Sequence, residues 1–120
     1  MGAFDGIAES NSRFYERCLG WDCLLIEASP RIFKELAVNR PLAHKLNLAP
    51  TCATDDETVS FLPTKYTNAQ MVEKDDSHDG VVQVHCGPLK DYLHALSIKH
   101  IDFFSLDVEG AELLVVQQFD

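Results

Sequence analysis

The sequence predicts an α/β fold built on an open parallel sheet, and three stretches carry that expectation. Ile101-Asp102-Phe103-Phe104-Ser105-Leu106 is a short apolar run without helical spacing, which suits a strand buried on both faces. Cys23-Leu24-Leu25-Ile26 is a second such run, and Ser29-Pro30 behind it is a strong helix start. Val81 to Cys86 is a third, rich in β-branched residues, and it leads through Gly87-Pro88 into a helical pattern with Leu89, Leu93 and Leu96 on one side. Strand followed by helix, repeated along the chain, is the signature of that fold class.

The totals set bounds. A length of 120 residues fits one domain, with a polar loop or insertion at about 63–80. An apolar fraction of 46% is ample for a core and argues against disorder. Net charge is −9, from 19 acidic and 10 basic residues, and no Lys/Arg cluster exists to hold a phosphate backbone. Nucleic acid is therefore not an expected partner. No apolar run has the length of a membrane span. Cys18, Cys23, Cys52 and Cys86 lack metal-ligand spacing and read as buried thiols of a reducing, cytoplasmic compartment, with two disulfides as the alternative.

In chain order, Met1-Gly2-Ala3-Phe4-Asp5-Gly6 is a glycine-containing turn of the kind that lets backbone amides approach a nucleotide. Ser10 is placed to cap a helix ending near Leu19, with Gly20 as its stop. The strand at 23–26 delivers Glu27 at its tip, where a carboxylate can accept hydrogen bonds from both hydroxyls of a ribose. The helix after Ser29-Pro30 shows Ile32, Phe33, Leu36 and Ala37 on one face, and Pro41 lies beyond its end. Residues 45–49 alternate like a further strand, and Thr58 to Leu62 suits a short one. Residues 64–80 are mostly polar, and the run Glu73-Lys74-Asp75-Asp76, with His78 and Asp79, reads as a solvated face, so no metal site is expected. The scattered histidines, His85 included, form no nucleophile pair.

At Asp107 the last apolar run changes character. Asp107, Glu109 and Glu112 crowd the expected strand-to-helix turn, and Gly110 keeps it free of a Cβ. Open α/β sheets bind ligands outside the carboxyl ends of their strands, which is where these residues would stand. Acids at a helix start also complement its dipole with no further role. Beyond Gly110, residues 111–119 continue as a mostly apolar helix.

Three features therefore fall in one order: Gly2-Ala3-Phe4-Asp5-Gly6, then Gly20-Trp21 leading to Glu27-Ala28-Ser29-Pro30, then Ile101-Asp102 leading to Asp107-Val108-Glu109-Gly110-Ala111-Glu112. In this order the chain resembles the FkbM family of S-adenosylmethionine-dependent methyltransferases, over nearly its whole length apart from 64–80. The resemblance implies a Rossmann-like class I methyltransferase sheet with the cofactor at its switch point. It implies cofactor-binding roles for Gly2, Ala3, Asp5 and Gly6 in the turn, for Glu27 at the ribose and for Asp107. It further implies that Asp107 and Glu109, with Gly110, lie beside the methyl group and the acceptor as the catalytic candidates. The acceptor class is a hydroxyl oxygen on a small molecule or carbohydrate.

Measured against the family pattern, the sheet is expected to be incomplete at both ends. The buried strand and acid before the glycine turn are missing, as are strands beyond Asp120, and Lys90 stands where relatives often carry an acid. The expectation from sequence is thus a partial domain of weak or no activity. Two other readings compete with it. A nucleotide-dependent oxidoreductase would use a similar sheet, but Gly2 to Gly6 lacks the three-glycine dinucleotide spacing. A non-catalytic protein-interaction module would keep the fold alone.

Overall fold

The computed structural model describes residues 1–52, 57–62, 70–72 and 80–119; the backbone alone is described at 62 and 70–72. Helix α1 (Arg13–Leu19) starts after Ser12 and stops at Gly20, whose φ of 70° is the left-handed geometry that closes a helix without a Cβ penalty. Ser10 does not cap it. Its hydroxyl accepts from Arg40 Nη1 at 3.1 Å instead. Strand β1 (Leu24–Glu27) pairs in parallel with β2 (His44–Asn47), in the register Leu24 to His44 and Glu27 to Asn47. Helix α2 (Pro30–Asn39) forms the crossover between them, with the Ser29 hydroxyl accepting from the Ile32 amide at its start.

Side chains of β1 alternate between two covered faces, as the pleat requires. Leu25 packs with Leu36 and Ala43 on the α2 side. Ile26 packs on the other side with Leu48, Leu89 and Val115. The last two come from helices α3 (Leu89–Ala95) and α4 (Glu112–Val116), the latter extended by a 3₁₀ turn over Gln117–Phe119. Gln118 ties these helices to the sheet: its Oε1 accepts from the Leu89 amide at 2.8 Å and its Nε2 donates to the Pro50 carbonyl at 3.1 Å.

A second sheet is antiparallel. Strand β3 (Thr58–Leu62) lies between β4 (Gln70–Val72) and β5 (Val82–His85). Ala49, Val59, Phe61, Val84 and Cys86 form its core. The Ala49 amide donates to the His85 carbonyl at 2.8 Å, which joins the two sheets just past the end of β2. The molecule is thus mixed α/β with two short sheets, rather than one continuous parallel sheet.

Several expectations change. Gln70–Val72 is a strand within the segment expected to be loop, while Glu73, Lys74, Asp75, Asp76, His78 and Asp79 lie outside the described residues. Cys52 and Cys86 form a disulfide and Cys18 is exposed, so the reading of four buried thiols fails. Spacing alone could not pair Cys52 with Cys86, because β3 and β5 bring together positions 34 residues apart. Among the described residues, no helix is long and apolar enough to cross a membrane.

The largest change is at 101–106, which forms no strand. Its side chains nevertheless alternate like one: the Phe103 ring lies 5.1 Å from that of Tyr15, and the Phe104 ring lies 6.0 Å from that of Phe119 on the opposite side. What is missing is a ladder. The Met1 amine donates to the Ser105 carbonyl at 2.7 Å, and the Asp107 amide donates to the Met1 carbonyl at 3.2 Å. Met1 therefore bridges Leu106 as a single residue of a parallel ladder would.

Candidate functional site

The glycine turn is held in place by the end of β1. Gly2 and Ala3 amides both donate to the Ile26 carbonyl at 3.0 Å, and Gly6 donates back to Ala3 at 3.0 Å. Gly2 and Gly6 have φ of 75° and 76°, and Phe4 adopts 50° between them. Space as well as dihedral demands glycine at the first position: a Cβ on Gly2 would lie 1.8 Å from the Asp107 carbonyl oxygen. The turn is thus wedged between β1 and the segment that carries Asp107.

Glu27 fastens the turn from the strand side. Its Oε2 accepts from the Phe4 amide at 2.9 Å, and its Oε1 accepts from the Ser29 amide at 2.8 Å. Asn47 holds the same tip from β2, donating from Nδ2 to the carbonyls of Glu27 (2.8 Å) and Ala28 (2.9 Å). Asp107 and Glu109 are exposed, and Glu109 takes a φ of 54° next to Gly110 at 97°. Glu112 is used internally: its Oε1 accepts from the Val108 amide at 2.9 Å, a bond that holds its carboxyl below the usual range.

These parts meet at one cavity of about 1260 Å³, whose wall includes Gly2, Ala3, Phe4, Glu27, Asp107 and Glu109. A smaller space of about 320 Å³, lined also by Gly110, adjoins it across Gly2, Glu27, Asp107 and Glu109. Asp5 and Gly6 stand behind the wall. The Asp5 carboxylate accepts from the amides of Ile7 and Ala8, each at 2.8 Å, and Gly6 faces Leu36 and Arg40.

The sequence matches the methyltransferase FkbM domain over residues 1–120. The chain belongs to the FkbM methyltransferase family. No curated protein and no solved structure matches it.

One residue of this FkbM domain was invisible to sequence reasoning. Arg40 is 1% exposed, at the end of α2. Its guanidinium donates to Glu16 Oε2 at 2.7 and 3.1 Å, to the Gly6 carbonyl at 3.0 Å, and to the hydroxyls of Ser10 and Ser12. It thereby ties the far end of the glycine turn to α1. Arginine before a proline carries no local signal for such a role, since its partners lie 24 to 34 residues away.

Burial pushes the Glu27 carboxyl above its ordinary range, against the opposing effect of the Ser29 and Phe4 amides. A carboxyl raised on folding stabilises the native state while protonated, so its contribution is lost as pH rises through the raised value. Chemical denaturation from about pH 4 upward is expected to show wild type losing stability relative to Glu27→Gln across that window. Parallel pH profiles for the two proteins would contradict this.

Proposed function

We propose that this FkbM-family chain is an S-adenosylmethionine-dependent methyltransferase domain acting on a hydroxyl oxygen of a small molecule or sugar. The observation that carries this reading is the convergence of the Gly2 to Phe4 turn, Glu27 and Asp107 on one cavity. The parallel β1 and β2 pair with its α2 crossover supports a Rossmann-like class I sheet around that cavity.

The residues suit such a cofactor. Each Glu27 oxygen takes one backbone amide, so a carboxylate with about four lone-pair positions keeps capacity for two ribose hydroxyls. The Gly2 and Ala3 backbone, free of long side chains, forms the wall on which the methionine portion would lie. Asp5 and Gly6 serve by shaping that turn from behind. When bound, S-adenosylmethionine supplies a methyl carbon on a sulfonium for in-line displacement by the acceptor oxygen, whose proton passes to a base or solvent.

This chain's own contribution is alignment. Glu27 fixes the nucleoside end, and the turn fixes the tail. Asp107 and Glu109, unshielded at the cavity wall, provide negative potential toward a sulfonium and acceptors for the substrate hydroxyl. Asp107 is the group proposed to orient that hydroxyl.

Calorimetric titration with S-adenosylmethionine tests the reading. Glu27→Ala is expected to weaken binding by roughly 1–3 kcal/mol, the loss typical for hydrogen bonds to a charged group. Unchanged affinity would remove Glu27 from the site, and binding of NAD in place of S-adenosylmethionine would overturn the assignment.

A further inference from the structure

Asn47 occupies the last position of β2, opposite Glu27 in the parallel register. The ladder closes there with the Leu48 amide donating to the Glu27 carbonyl at 3.3 Å. The Asn47 side chain carries the pairing one residue further. Its Nδ2 donates to the Glu27 carbonyl at 2.8 Å and to the Ala28 carbonyl at 2.9 Å, one proton of the amide for each. Ala28 lies beyond the last paired residues, so strand pairing alone does not require that second bond.

The consequence appears on the other side of the chain. A trans peptide points its C=O and its N–H in opposite directions. Holding the Glu27 and Ala28 carbonyls toward Asn47 therefore turns the amides of Ala28 and Ser29 the opposite way, and the Glu27 carboxylate takes them up. Its Oε1 accepts from the Ser29 amide at 2.8 Å, and the Ala28 amide also favours its ionised form. The third amide that does so, Phe4, comes from the glycine turn and reaches Oε2 at 2.9 Å. Side-chain chemistry explains why asparagine suits the position: aspartate has no donor, serine has one, and glutamine is longer by a methylene.

We infer that Asn47 is a positioning residue of the cofactor site, which presets the Glu27 carboxylate for two ribose hydroxyls by fixing the 27–28 and 28–29 peptide planes. This role rests on the reading of Glu27 as the ribose-binding group. Asn47 is absent from the walls of both cavities, so it acts through Glu27 and not by contact with the ligand. Its contribution is preorganisation: a carboxylate already held by fixed amides has little freedom left to lose when the ribose arrives. Without Asn47 the ligand itself must order residues 27–29.

Two substitutions test this. Asn47→Leu keeps a similar volume and removes both donors, Asn47→Ala removes the whole arm, and both leave the backbone pairing of β1 with β2 available. In the free protein the Ser29 amide proton is expected to move upfield in both variants, because its bond to the carboxylate weakens. The Phe4 amide, whose position is set by the turn, is expected to move less. Calorimetry is expected to show S-adenosylmethionine binding roughly tenfold weaker in both, the loss typical of one hydrogen bond to a charged group. Introduced into Glu27→Ala, Asn47→Leu is expected to cause no further loss, because it acts through the missing carboxylate. An unmoved Ser29 amide overturns the inference, as does unchanged affinity in both variants. An equal loss in the Glu27→Ala background also overturns it, by showing a general structural role. A wild-type chain that does not bind S-adenosylmethionine would refute the proposed function instead, and the Ser29 resonance, read without ligand, would still decide whether Asn47 presets the carboxylate.

Discussion

Gly2→Ala is expected to lower the free energy of unfolding by roughly 2–6 kcal/mol, combining backbone strain with overpacking. The residue sits at φ 75°, where an L side chain is strained. A Cβ there would also lie 1.8 Å from the Asp107 carbonyl oxygen, and this obstacle is backbone that cannot rotate away. Relief requires β1 and the Asp107 segment to separate, which breaks the bonds from Gly2 and Ala3 to Ile26. Two other glycines calibrate the effect. At Gly6 the nearest atoms are Leu36 Cδ1 and Arg40 Cγ, parts of side chains that can shift, although both are buried. At Gly110 nothing lies within 4 Å, so only the φ of 97° opposes a side chain. Denaturant unfolding should rank Gly2→Ala as the most damaging and Gly110→Ala as the least. A Gly2→Ala protein as stable as Gly110→Ala would show that the wedge between β1 and Asp107 does not exist.

Arg40→Ala is expected to cost about 3–5 kcal/mol, the range for removing one partner of a buried ion pair. The side chain of Glu16 is only 11% exposed and would be left without its cation, while the Gly6 carbonyl would lose its donor. Arg40→Lys should recover little, because a point charge cannot reach Glu16, Gly6 and the two serines together. The comparison that separates pairing from packing is a double-mutant cycle with Glu16→Gln, read by urea denaturation. A coupling energy near zero would mean that Arg40 acts by its volume alone. Because Gly6 ends the glycine turn, Arg40→Ala should also weaken S-adenosylmethionine binding, though Arg40 is absent from the cavity wall.

Much of the fold was readable where a signal is local. Ser29-Pro30 announced α2, Gly20 the end of α1, and the β-branched run after Gly80 the strand β5, because caps, breakers and period-two patterns act over a few residues. Glu27 at a strand tip followed from the same local logic. What the sequence hid depends on partners far along the chain. The 101–106 run has a strand's side-chain pattern, but a strand also needs a ladder partner, and among the described residues its backbone is bonded across only by Met1, at its carboxyl end. The disulfide of Cys52 and Cys86 and the anchoring by Arg40 rest on contacts that no spacing rule encodes. Of the three carboxylates at the turn after residue 106, sequence treated Glu112 as a peer of Asp107 and Glu109. In the folded chain it is spent on the Val108 amide, while the other two stay open to the cavity.

The most direct test of the shared pocket is a backbone amide spectrum of the labelled chain, recorded with and without S-adenosylmethionine. Perturbations are expected to gather at Gly2, Ala3 and Phe4, at Glu27 and Ser29, and from Asp107 to Gly110, with the Phe4 and Ser29 amides reporting any change at the Glu27 carboxylate they donate to. Shifts confined to the antiparallel sheet around Cys52 and Cys86, or appearing at only one of the three places, would contradict a common cofactor site.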